Sequence, residues 1–285
     1  MSDTVSPVQS RRLSRTLRRW RERAEFSVER AAEELLCGAG TVSRMENGQS
    51  AEPLRVKAAL ELYGAPPRVV AEMIRAAKDR RRRGVLRRSY YDFVSHTFAE
   101  YLDLENEASA VACFQSDIVP GLLQTKEYAR ASIEGASALV EPGDRDKFIQ
   151  LRMDRQQRLA GGDPMPLRVI LVEAALCTQT GGPVVLAGQL RHLIKLAARP
   201  AIELRILPFT VGAHPAIGSN FTLLSFSGTD EPEVVYTENP MFFVIQDAST
   251  EVTRAQRIYD EVWEMALGAE ASIDIVRQAI TRLKT

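Results

Sequence analysis

Long apolar runs are missing from this chain of 285 residues. No stretch approaches the roughly 18 uncharged residues that a membrane span requires. The first twenty residues carry arginines but no apolar core behind them, so a secretory leader is not expected and the protein is read as cytoplasmic. Cysteine is scarce as well: Cys37, Cys113 and Cys177 are odd in number and far apart, which excludes a disulfide framework. None lies at metal-ligand spacing from another cysteine or a histidine, so no metal is expected and all three read as small buried apolar residues. Histidine occurs only at positions 96, 192 and 214. No phosphate loop, nucleophile elbow or HExxH is present, so neither catalysis nor a cofactor is expected.

A net charge of either sign is also lacking, yet the formal zero conceals a division. Up to Arg88 the chain holds 20 Lys/Arg against 11 Asp/Glu; the remainder is acidic by the same margin of nine. Such asymmetry points to one segment that meets a polyanion, nucleic acid first among them, and another that does not. Length alone suggests two domains.

The basic segment reads as short helices. Leu13, Leu17, Trp20 and Ala24 recur at helical spacing with arginines on the other faces. Ser27 suits an N-cap for SVERAAEELL, whose Ala31, Ala32 and Leu35 face inward. CGAG then permits a sharp reversal before TVSRMEN, with Val42 and Met45 on one face and Gly48 suited to a stop. EPLRVKAALELYG follows, with Leu54, Val56, Leu60 and Leu62 as its apolar positions, and Pro66 and Pro67 fit the start of a fifth helix. Residues 8–83 are thus expected to form an all-α domain of five helices. Residues 84–92 form a basic linker, part of a run with six arginines from Arg80 to Arg88 that is either solvated or a further phosphate contact.

The acidic segment, 93–285, begins with helical patterns through DFVSHTFAEYLDLENEASAVACF and KFIQLRMDRQQRLA, with a turn at Pro120 and Gly121 between them. The periodicity then changes. LRVILVEAAL and IELRILPF read as buried strands either side of the helix VVLAGQLRHLIKLAARP, and FTLLSFS and EVVYTE as two strands joined by GTDEP. Val252–Leu267 and Ile273–Leu283 close the chain as helices, giving a larger α+β domain covered on both sides.

The stretch Phe26 to Gly48 resembles the helix-turn-helix of the xenobiotic-response-element, lambda-repressor-like family, and SRMENG is similar to that family's frequent SRIENG. The resemblance implies a first helix that crosses the DNA backbone and a second that enters the major groove. Carried over position by position, it places Ser27 and Val28 at the backbone and Ala39, Gly40, Thr41, Ser43, Arg44 and Asn47 on the reading helix. Arg15 and Arg19 on the preceding basic helix join them as phosphate contacts. Three departures stand out: Leu36 occupies the usual turn glycine, Val28 a frequent glutamine, and Ala39 and Gly40 replace longer polar side chains. Arg44 and Glu46 either pair with one another or with neighbouring helices, or Arg44 reaches a base.

VPGLLQTKEYARA, VEAAL, LAARP and ILPFTVGAHPAIGSNFTLLSF resemble the C-terminal domain of actinobacterial regulators of the WhiJ-like and toxin-antitoxin-like group. That resemblance implies a homodimeric repressor or autoregulator whose second domain binds a small protein encoded nearby, or a signal. The alternative is an antitoxin-like protein that sequesters a small partner, with DNA binding secondary. His214 and Pro215 in a turn-rich loop, and Glu173 after a strand, are the candidate partner- or ligand-binding residues.

Overall fold

The computed structural model describes residues 7–47, 52–79, 90, 92–136, 138, 140–227, 233–239 and 241–283. Gly48, the arginine run 80–88 and the segment 228–232 lie outside the described residues. The chain divides into two compact units, Met1–Arg88 and Ser89–Thr285.

The first unit holds five helices: α1 (Pro7–Arg23), α2 (Val28–Glu34), α3 (Ala39–Glu46), α4 (Pro53–Leu62) and α5 (Pro67–Asp79). Leu13 and Leu17 of α1, Ala31 and Ala32 of α2, Val42 and Met45 of α3, and Val56 and Leu60 of α4 share one core with Val70 and Met73 of α5. Leu54, read as a core position, is exposed, because Val56, Ala59 and Leu60 supply the buried face of α4.

Three of these helices end in the same device. At the ends of α1, α2 and α4, paired backbone hydrogen bonds close a left-handed terminal residue: Glu25 (φ 56°), Leu36 (φ 51°) and Gly64 (φ 73°). At α2 the Leu36 N–H donates to Glu33 O at 3.1 Å and the Cys37 N–H to Ala32 O at 2.9 Å. The reversal is therefore carried by Leu36 rather than by a glycine. Gly38 has ordinary extended φ as the N-cap of α3, and Ala39 and Gly40 already belong to that helix. Leu36 is 94% exposed, so its side chain adds little packing to offset the left-handed backbone. Leu36→Gly is expected to raise stability by about 1 kcal/mol, read from a urea midpoint with unchanged slope.

The second unit is built on a six-stranded mixed sheet in the order β3-β2-β1-β4-β5-β6. Its strands are β1 (Ala110–Gln115), β2 (Leu167–Val172), β3 (Ile202–Leu207), β4 (Phe221–Ser225), β5 (Val234–Asn239) and β6 (Phe242–Gln246). β1, β2 and β3 run parallel; β4 returns antiparallel beside β1, and β5 and β6 continue the meander. Four strands appear where the apolar runs placed them, except that LRVILVEAAL leaves the sheet at Val172 and its Ala174–Leu176 end turns into a short helix. β1, one of the two innermost strands, lies inside what reads as continuous helix, and β6 was not expected at all.

Around the sheet stand α6 (His96–Glu107), α7 (Lys126–Gly135), α8 (Arg145–Arg155), the short α9 (Ala174–Cys177), α10 (Gly182–Ala197), α11 (Ser249–Met265) and α12 (Ala269–Arg282). α11 packs Val252, Tyr259, Val262 and Trp263 against Phe114, Ile170, Leu223 and Val235. Two guanidinium groups lie against the Trp263 ring, Arg168 at 4.0 Å and Arg205 at 4.2 Å. Parallel crossovers are right-handed, which puts the helices joining β1, β2 and β3 on the opposite face; Val169 and Leu171 are fully buried there.

The Tyr259 hydroxyl is buried with no hydrogen-bond partner among the described residues. Its ring packs with Phe221 and Trp263. An unmade buried hydrogen bond costs about 1–3 kcal/mol, so Tyr259→Phe is expected to leave the melting temperature unchanged or raise it, checked by calorimetry. The cysteines divide by burial: Cys113 is buried, Cys37 half-buried and Cys177 exposed, which corrects the expectation that all three are interior. Burial pushes the Cys113 thiol up to about 12. Among the described residues no His/Cys/Asp/Glu group could hold a metal, and no helix is long and apolar enough to cross a membrane.

Candidate nucleic-acid interface

α2 and α3 form the helix-turn-helix. Ser27 caps α2, its Oγ accepting the Arg30 N–H at 3.1 Å, so its hydroxyl is engaged at the helix start where the backbone amides also lie. Val28 is half-buried and packs on the core. The departure from the family's glutamine thus trades a polar reach for an apolar anchor.

α3 is amphipathic with unusually short outer side chains. Val42, Met45 and Glu46 are buried, whereas Ala39, Gly40, Ser43, Arg44 and Asn47 are exposed and Thr41 is half-buried. Gly40 leaves room beside Arg44, whose Nη1 lies 3.5 Å from where a Cβ at position 40 would stand. Arg44 donates to Thr41 Oγ1 at 3.2 Å, and Asn47 donates to Ser43 Oγ at 3.3 Å. Both are long bonds on an exposed surface, and the first uses only one of the five guanidinium N–H donors. The small residues at the N-terminal end of α3 let its backbone approach a duplex closely, while Arg44 supplies the long side chain on the face.

Glu46 does not pair with Arg44. It turns inward to Arg21 of α1, whose Nε donates to Oε1 at 2.6 Å and Nη2 to Oε2 at 2.9 Å. Arg21 also donates from Nη1 to Phe26 O at 2.8 Å, and Arg18 Nε lies 3.7 Å from Glu46 Oε2. Hydrogen bonding to Glu46 holds the Arg21 guanidinium above its ordinary value. Burial pushes the neighbouring Tyr63 hydroxyl up to about 12, with the Glu46 carboxylate adding to the shift. A carboxylate in the last turn of a helix is disfavoured by the helix dipole; here the two α1 arginines offset it and fix the end of α3 against α1. The sequence allowed Glu46 a partner on a neighbouring helix but did not single out Arg21, although a signal existed: Arg21 stands four residues after Leu17 and Glu46 four after Val42, so both charges fall on inward faces.

The arginines of α1 are not one solvated face. Arg12 is paired with Glu72 of α5, while Arg19 is exposed and Arg15 half-buried. Arg23 lies 5.1 Å from the Trp20 ring centre and Arg30 of α2 lies 4.7 Å from that of Phe26. Rings keep these two guanidinium groups in place without neutralising them.

In the second unit, Glu173, His214 and Pro215 lie at the carboxyl end of the parallel strands. Glu173 follows β2, and its Oε2 accepts the Phe209 N–H at 3.1 Å from the segment after β3. His214 stands in that same segment, its ring edge-on to Phe114 at 5.7 Å and its Nδ1 buried without a hydrogen-bond partner among the described residues. Burial lowers its pKa, which favours the neutral ring. Pro215 is exposed. The three share one end of the sheet, and Glu173 is already engaged in holding the loop.

The motif VPGLLQT is a latch within this unit. Leu122 and Leu123 enter the core, and Gln124 donates to Val119 O at 2.7 Å while accepting from Arg152 at 2.6 Å. Gln156 spans Gly121 O and Gln124 O, and Gln189 takes the Thr125 N–H at 2.7 Å. Beside it Arg155 grips Glu105 with two bonds of 2.7 Å, and Tyr101, also bonded to Glu105, stacks on Tyr236 at 3.8 Å.

Residues 12–73 match the model of a helix-turn-helix domain, which runs from within α1 to within α5 and agrees with the geometry above. No curated protein and no solved structure matches the chain. Residues 98–278, more than half of the chain, match the model of a domain of unknown function, DUF5753, and the protein belongs to that family, with a helix-turn-helix domain at its N-terminus.

Proposed function

We propose that the protein is a cytoplasmic, non-catalytic transcriptional regulator that binds double-stranded DNA in a sequence-specific manner, acting as a homodimeric repressor of the WhiJ-like kind. The observation that carries this reading is the exposed face of α3, with Arg44 outward and the helix end fixed by Arg21. Only an element of helix size fits the major groove, about 12 Å wide. Ala39, Gly40 and Ser43 bring the α3 backbone close to the bases, Arg44 reads guanine through its paired donors, and Asn47, Ser27, Arg15 and Arg19 meet phosphates. The second unit, acidic where the first is basic, takes no part in DNA contact and binds a small partner protein or a signal; the segment holding His214 and Pro215 is where such a ligand would meet it.

Fluorescence polarisation with fragments of the gene's own upstream region tests the reading. Arg44→Ala is expected to weaken binding to the specific site by about 1–3 kcal/mol per copy, leaving non-specific binding and the melting temperature nearly unchanged. Equal loss on specific and random DNA would assign Arg44 to phosphate contact; no binding at low salt by the wild-type protein would end the proposal.

A further inference from the structure

We propose that the outer edge of β6 is where two copies of this chain join, antiparallel, so that their two six-stranded sheets run on as one. The proposal rests on the DNA-reading function above, because it supplies the two-fold symmetry that a reader with one short recognition helix uses to engage two half-sites.

β6 pairs with β5 along one edge, from Val235↔Gln246 to Asn239↔Phe242, and no described strand pairs with the other. Its side chains are exposed on both faces of the sheet. Met241 is 89% exposed, Phe242 50%, and Phe243 and Val244 36% each. The register places Phe243 and Ile245 on the face of Tyr236, where Phe98 of α6 meets Phe243 at 6.0 Å, and leaves Phe242 and Val244 on the face that α11 covers further in.

An edge of this kind is rarely left open. Proteins blunt free edges with lysine, proline, bulges or inward charges, and residues 241 to 246 contain none of the charged or proline devices. The same neutrality makes the strip self-complementary. With the two-fold axis at Val244, Phe243 faces Ile245 of the second copy and Phe242 faces its Gln246, so no like charges oppose one another and aromatic residues meet branched or neutral ones. An isologous contact of this type closes at two copies, because each β6 edge is used up by its twin and none is left to recruit a third. The asparagine at the hairpin supports the presentation: Asn239 Oδ1 accepts the Met241 and Phe242 N–H groups at 2.8 and 3.1 Å, fixing the start of the strand.

Sedimentation velocity on the full-length protein across the micromolar range, with and without Val244→Lys, tests the surface. The wild type is expected to sediment as a dimer and Val244→Lys as a monomer with unchanged circular dichroism and melting temperature. The variant should also lose the affinity gain of a two-half-site DNA over a single half-site while keeping single-half-site binding. A monomeric wild type, or a dimer that survives the substitution, overturns the proposal. Should the lysine variant fail to fold, Val244→Cys supplies a second reading: mild oxidation is expected to yield a 244–244 disulfide identified by peptide mapping, and a dimer whose cross-links never include position 244 overturns it equally. Dimerisation through position 244 without any DNA binding would leave this surface standing and remove the proposed function instead.

Discussion

Glu46→Ala is expected to lower the stability of the N-terminal unit by about 3–5 kcal/mol, the cost of stranding one partner of a buried ion pair. Arg21 would keep its bond to Phe26 O but lose both carboxylate contacts in a site where its side chain is about 10% exposed. Natural domains are stable by only about 5–15 kcal/mol, and small ones lie at the low end, so the substitution should bring the unit close to unfolding at growth temperature and abolish DNA binding. Urea denaturation followed by circular dichroism gives the direct measurement. The double substitution Arg21→Met with Glu46→Leu separates charge stranding from loss of function: similar-sized apolar residues should restore much of the stability. If the single and double variants are equally destabilised, the pair acts through its hydrogen-bond geometry rather than through the stranded charge. A double variant that is stable yet binds DNA poorly would show that the pair's role is to orient α3.

The first unit was largely legible in the sequence because each of its elements is decided locally. Leu13 and Leu17, the Ser27 cap, the Val42 and Met45 pair and the prolines before α5 each point to one helical answer, and the five helices stand where those signals place them. What could not be read was the pairing of charges between helices sixty or fewer residues apart, such as Arg12 with Glu72. Helical spacing says that Arg21 and Glu46 face inward but not that they face each other. The turn was misread for a related reason: glycine is the usual left-handed residue, yet the hydrogen bonds at the end of α2 impose that conformation on Leu36 and leave Gly38 with an ordinary backbone.

In the second unit, legibility followed burial. β2 to β5 are rich in branched apolar residues and were visible as strands. β1 reads Ala-Val-Ala-Cys-Phe-Gln, of which two residues are alanine, and it follows α6 after only two residues. Its strand conformation comes from pairing with β2 on one side and β4 on the other, contacts far off in sequence. β6 was missed for the opposite reason, since its apolar residues do not alternate with polar ones as those of a half-buried edge strand do. The candidate sites divide likewise. The exposed face of α3 follows from its periodicity, whereas the convergence of Glu173 and His214 at one end of the sheet depends on β2 and β3 being neighbours.

DNA binding is expected to fall steeply with salt. A regulator whose two copies neutralise about four phosphates with arginine loses about 10²-fold in affinity between about 50 and 200 mM monovalent salt, since each neutralised phosphate releases condensed counterions. Arg15 and Arg19 on α1, Asn47 on α3 and the amides at the Ser27-capped start of α2 are the contacts proposed for each copy, and only the arginines bring full charge. Replacing Arg19 by glutamine should therefore reduce the slope of log affinity against log salt by about two, one for each copy of a dimer, and weaken specific and random DNA alike. Arg44→Ala should do the reverse, lowering affinity for the specific site while barely moving the slope. Polarisation titrations at four or more salt concentrations distinguish these outcomes. A wild-type slope near zero would mean that the excess of arginine in the first segment serves the protein's own fold, through pairs like that of Arg21 with Glu46, and not a polyanion.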